Sequence, residues 1–205
     1  MPKKGNRLMS ALAVFLLVAV LAGCQQMGKV DQGRVIEFNK EKGTVTMIRD
    51  ASPNPDTPEY SHLPPVTYQV PTNPDEMGAD PKPGKRMKLD AIHREIVIYV
   101  PALNNFAKIN YKLVDQKEIV DPDDPLVMDS VTRKPKTFPV VDPHRKTITI
   151  YSKRQKTVTT FSVPDEYLAM PADTWDSGDD IRIYYKEEGK ARRLMNVSKT
   201  DIFKK

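Results

Sequence analysis

Val35-Ile-Glu-Phe-Asn-Lys-Glu-Lys-Gly-Thr-Val-Thr-Met-Ile48 and Phe138-Pro-Val-Val-Asp-Pro-His-Arg-Lys-Thr-Ile-Thr-Ile-Tyr151 read alike. Each is a strand, a polar turn, and a second strand in which threonine alternates with an apolar residue. Val45 and Met47 of the first stretch match Ile148 and Ile150 of the second. Alternation with a period of two gives one buried and one wet face, the mark of a half-buried strand. Asn39 to Gly43 and Asp142 to Lys146 have the composition of turns.

A second pair of stretches aligns without gaps. Val70-Pro-Thr-Asn-Pro-Asp-Glu-Met-Gly-Ala-Asp80 shares Val, Pro, Met, Ala and Asp, at equal spacing, with Val163-Pro-Asp-Glu-Tyr-Leu-Ala-Met-Pro-Ala-Asp173. Thr67-Tyr68 and Thr160-Phe161 precede them. Gly84 to Leu89 and Gly178 to Ile183 come after them, each a glycine turn leading into an alternating strand. An internal repeat of this kind predicts two units of one design. Each half reads three strands, a short turn of helix, a fourth strand and a fifth. That order resembles the five-stranded barrel of the OB type. The fold expected is mainly β, with two tandem small OB-like β-barrel repeats. A Tudor-like or SH3-like barrel and an open sandwich fit the same order. The first half carries extra strands at Ile96 to Val100 and Phe106 to Val114. The units expected are 34–120 and 138–205, joined by a polar, proline-rich linker over 121–137. The chain's 18 prolines argue against long helices.

The N-terminus reads as an address. Lys3, Lys4 and Arg7 precede an unbroken apolar run from Ala11 to Leu21, then Ala22, Gly23 and Cys24. A basic head, a short apolar run and small residues at the cut form a secretion signal. The run is shorter than the roughly 20 residues of a transmembrane helix. Leu21-Ala-Gly-Cys24 resembles the lipobox of bacterial lipoproteins, and Cys24 is the only cysteine. The resemblance implies cleavage after Gly23, a diacylglyceryl group on the Cys24 thiol and an acylated new amino terminus. Residues 24–33 would then form a lipidated tether. Gln25 resembles the sorting pattern for the outer membrane. The whole-chain pattern is similar to that of uncharacterised lipoproteins of sulfate-reducing bacteria. Cleavage would remove three positive charges, so the net charge of +5 would fall to +2.

Several groups of residues have side chains capable of chemistry. His62, His93 and His144 have no metal-ligand spacing, and a zinc site needs at least three ligands. Met47, Met77, Met87, Met170 and Met195, with Trp175 near Met170, could suit Cu(I) as soft ligands. Met77 and Met170 read better as plugs at the ends of the two barrels. The acidic runs at 121–124 and 173–180 lack the spacing of a calcium loop. Arg133, Lys134, Lys136, Arg145, Lys146, Lys153, Arg154 and Lys156 face one acid, Asp142. They are the candidate partner-binding residues, to be set against the wet face of a hairpin. No nucleotide loop, haem attachment or nucleophile elbow is found. The expectation is a non-enzymatic binding or assembly module without cofactor or metal. It would be held to a membrane through Cys24 with its body in the periplasm, on an envelope protein rather than nucleic acid. A periplasmic ligand or copper carrier is the alternative.

Overall fold

The computed structural model describes residues 27–52, 54, 57–153 and 155–200. The expected signal segment, Cys24 and Arg154 lie outside the described residues. The protein is mainly β, as its alternation predicts. The first half supplies β1 (Lys29–Asn39), β2 (Thr44–Asp50) and β3 (Tyr60–Gln69), then a 3-10 turn at Pro74–Glu76. It continues with β4 (Arg86–Asp90), β5 (Glu95–Val100), β6 (Asn105–Asn110) and β7 (Lys112–Lys117). The second half supplies β8 (Val140–Asp142), β9 (Thr147–Ser152) and β10 (Thr157–Ser162). One helical turn, α1 (Asp165–Leu168), and a 3-10 turn at Ala172–Trp175 lead to β11 (Asp180–Glu187) and β12 (Lys190–Asn196).

Both repeats therefore exist as local structure. Three hairpin turns share one geometry. The Asn39 side-chain oxygen accepts from the N–H of Lys42, Asp90 from Ile92 and His93, and Asp142 from His144 and Arg145. Each turn ends on a left-handed residue: Gly43, Arg94 or Lys146. The strand expected at Ile96 to Val100 is β5, and the single helical turn expected near Asp165 is α1.

The strand order departs from two tandem barrels. The ring that holds the first core runs β1-β11-β12-β3-β2, so two of its five strands come from the far end of the chain. β1 pairs antiparallel with β11 from Lys29↔Tyr185 to Arg34↔Asp180. The ring closes narrowly, through the parallel pair Lys190↔Gln69. Tyr68, Met47, Val35, Ile183 and Leu194 fill it. The hairpin β4–β5 of the first half goes instead to the second core. There Ile96 and Ile98 of β5 and Ile109 of β6 meet Ile148, Ile150, Phe161 and Trp175. The strand residues among these lie in two sheets, β4-β5-β6 and β7-β10-β9-β8, and Trp175 lies in the 3-10 turn. Each three-stranded meander thus completes its core with the other half's hairpin. The physical reason is that alternation fixes which face of a hairpin is buried, but not which edge it meets. β1 begins at Lys29, so the stretch expected as tether is strand from there on. The 121–137 stretch does not hang free: Val120, Val127 and Phe138 pack on Tyr151 and Val158.

Candidate functional site

The exchange places the two matched glycines against each other. A side chain on Gly84 would come within 2.2 Å of the Gly178 nitrogen, and one on Gly178 within 2.4 Å of the Val35 carbonyl oxygen. Around this crossing the backbone bonds run from Lys85 N–H to Asp173, Arg86 N–H to Asp176 and Asp179 N–H to Lys82. The acidic run 173–180, an ordinary turn by composition, is one side of a clasp. Asp173 pairs with Lys85, Asp176 with Lys82, and Asp180 with Arg34 at 3.1 Å.

The clasp is polar to its centre. Tyr60 donates its hydroxyl to Asp180 at 2.7 Å, and the Arg34 guanidinium lies 4.0 Å over the Tyr60 ring. Arg34 also donates to the Met87 carbonyl, and Arg86 to the Trp175 carbonyl at 2.9 Å. Burial pulls the Arg86 guanidinium down to about 10, so it stays charged at neutral pH. Burial pushes the Tyr60 phenol well above its ordinary value, against the opposing pull of Arg34. The Trp175 indole N–H is buried without a hydrogen-bond partner among the described residues. Such a network rigidifies the crossing and favours one arrangement of it.

The opening lies elsewhere, at the thin seam between β3 and β12. A groove of about 860 Å³ runs there, with Gln69 to Asn73 on one wall and Lys190 to Arg193 on the other. Tyr184, Glu76 and Glu187 complete the lining. The sequence builds it locally. Val70-Pro71 ends β3, Asn73 caps the 3-10 turn by accepting from Asp75 N–H, and Met77 then bridges to Leu194. Glu76 binds Arg193 through both carboxylate oxygens, one at 3.1 Å, which holds the carboxyl below its usual range. Lys190 pairs with Glu187 at 2.7 Å, while Arg192 is exposed without an ion-pair partner among the described residues. Inside the barrel, Asp31 accepts from Tyr68 at 2.6 Å and lies 3.7 Å from Arg49.

The described candidate basic residues do not line this groove, and β9 divides them. Arg145 and Lys146 lie in the turn before it, and Lys153 and Lys156 in the turn after it. Lys146 pairs with Asp165 at 2.6 Å, Lys156 with Asp121 at 3.1 Å, and Arg145 lies 3.9 Å from Asp142. Lys136 donates to the Pro125 carbonyl, and Arg133 and Lys134 sit in the loop tied back to Asp129. The methionines are also dispersed. Met47 and Met77 belong to the first core, Met170 to the second and Met87 to the contact between them. His62 is exposed on β3, and His93 and His144 lie in turns. Among the described residues no three or more His, Cys, Asp or Glu side chains group as metal ligands. The groove is not legible in the sequence. The run Lys190-Ala-Arg-Arg193 is its one visible signal, and its partner wall is 117 residues away at Glu76.

A family model described as a domain of unknown function (DUF4881) matches residues 26–205. No curated protein and no solved structure matches the chain.

Proposed function

We propose, from the premise that this chain belongs to the DUF4881 family, that it is a membrane-anchored envelope lipoprotein acting as a non-enzymatic binding or assembly module. Its lipid anchor is Cys24, its body lies in the periplasm on the outer-membrane side, and its partner is an envelope protein. The observation that carries this reading is the open groove at the β3–β12 seam, lined by charged and polar side chains together with Val70, Pro71 and Ala191. The strand order supports it. In its own count the ring is one, two, three, five, four, with three and five parallel, which we take as an OB-type barrel. Barrels of that type bind through the loops after strands one and four. Here those loops are the β1–β2 turn, whose Gly43 carbonyl accepts from Val70 N–H, and the β11–β12 turn, whose Gly189 carbonyl accepts from Gln69 N–H. Both therefore lie at one end of the groove.

The test is a photo-crosslinking residue at Thr72, on the groove wall, in the native envelope. A control carries it at Val114 on β7. The expected result is one protein adduct from position 72, absent from position 114 and lost in Cys24→Ala. Identical adduct patterns at both positions would remove the groove from the reading.

A further inference from the structure

We infer that the outer face of β1, β11 and β12 lies flat on the bilayer surface, so that the barrel is oriented as well as tethered. The inference rests on the lipid-anchor reading of Cys24 and goes beyond it, since a tether alone sets no orientation.

Two independent observations point to this face. The first is the path of the chain. Gly28 lies directly on the Tyr184 ring, where a β-carbon would come within 2.0 to 2.3 Å of three ring and hydroxyl atoms. The described chain therefore begins on the outside of β11. From Gly28 to Cys24 is four residues, a reach of at most about 14 Å.

The second observation is what the face carries. The strand registers put Val30, Tyr184 and Arg193 in one outward row, and Gln32, Arg182 and Met195 in the next. Val30 is 56% exposed and Met195 36% exposed, with Met27 at the chain's approach 90% exposed. Apolar side chains set among arginines, beside a tyrosine, suit the headgroup region. There an aromatic ring with a polar tip is at home, and cations meet anionic lipid. Lys186 and Arg192 are exposed at the margin of these rows. Glu76 is held by Arg193 and Glu187 by Lys190, and Glu188 lies in the turn, so the cations of this face left to meet anionic lipid are Arg182, Lys186 and Arg192. Tyr184 and Arg193 also line the groove. The groove would thus open along the membrane plane, beside the lipid surface rather than away from it.

The experiment uses the full lipidated chain in vesicles of phosphatidylethanolamine and phosphatidylglycerol with brominated acyl chains. Two variants, Tyr184→Trp and Val114→Trp, are compared over the background of the buried Trp175. Mass spectrometry of the N-terminal peptide first establishes the lipid on Cys24. The expected result is several-fold stronger bromine quenching at 184 than at 114. Arg182→Glu with Lys186→Glu should reduce it while circular dichroism stays unchanged. Equal, weak quenching at both positions on a lipidated protein overturns the orientation and leaves the anchor standing. Position 184 shielded from aqueous iodide yet unquenched by bromine also overturns it, because a protein would then cover the face. An N-terminal peptide without lipid defeats the anchor reading, and the orientation with it.

Discussion

Gly84 and Gly178 are the residues on which the arrangement turns. Gly178 adopts φ +68°, and the space beside both glycines is filled by backbone that cannot rotate away. Gly84→Ala or Gly178→Ala should each destabilise the protein by at least ~2 kcal/mol. Gly43, also left-handed but with its nearest neighbours side-chain atoms at 3.7 Å and beyond, should cost only about 1 kcal/mol as alanine. Urea denaturation of the three variants checks the ranking. The tyrosines give a second prediction at this scale. Burial raises the Tyr60 and Tyr68 phenols above the ordinary 10, with the Asp31 hydrogen bond adding to Tyr68. A raised native value means that their contribution is complete below pH about 10. Above it the unfolded chain gives up these protons more readily, so stability falls. The urea midpoint should therefore hold steady up to about pH 9 and drop steeply beyond about 10. Tyr68→Phe should flatten that drop.

At the scale of elements, the hairpins are legible in the sequence and their partners are not. Period-two alternation and Asx-type turns are local, so the match between 35–48 and 138–151 correctly locates β1–β2 and β8–β9. The strands β4 and β11, each reached from its glycine at 84 or 178, are recognisable for the same reason. The choice between two equivalent meanders depends on edges, the crossing and loop reach, none of which alternation encodes. The basic stretch shows the converse error. Nearness in sequence suggests a patch, but a six-residue strand carries its flanking turns roughly 20 Å apart. Arg133, Lys146 and Lys156 all hold left-handed backbone, which makes them turn residues first. Lys146→Gly and Lys156→Gly should each raise stability by about 1 kcal/mol, read as a higher urea midpoint. A loss of partner adducts in these variants, with stability raised, would return them to the binding surface.

For the molecule as a whole, exchange makes the halves interdependent. Residues 24–130 lack β11 and β12, two of the five strands of the first ring, and residues 131–205 lack the β4–β6 contribution to the second core. Each half alone should be unfolded by circular dichroism. Mixed, they should recover the far-ultraviolet spectrum of the intact chain. A protease site inserted after Ser130, in the exposed loop, should be cut without unfolding the protein. Folded, monomeric halves would contradict the exchange and favour the tandem arrangement that the repeat first suggests.

The pairing of β1 with β11 has a consequence for synthesis. The strand that starts at Lys29 has one of its two neighbours far along the chain, Gln32 meeting Arg182 150 residues later, so the first barrel cannot close until β11 and β12 have emerged. A premature stop near residue 180 would not trim the tail of a finished structure. It would leave the beginning open, with the bare edge of β1 presented to any strand nearby.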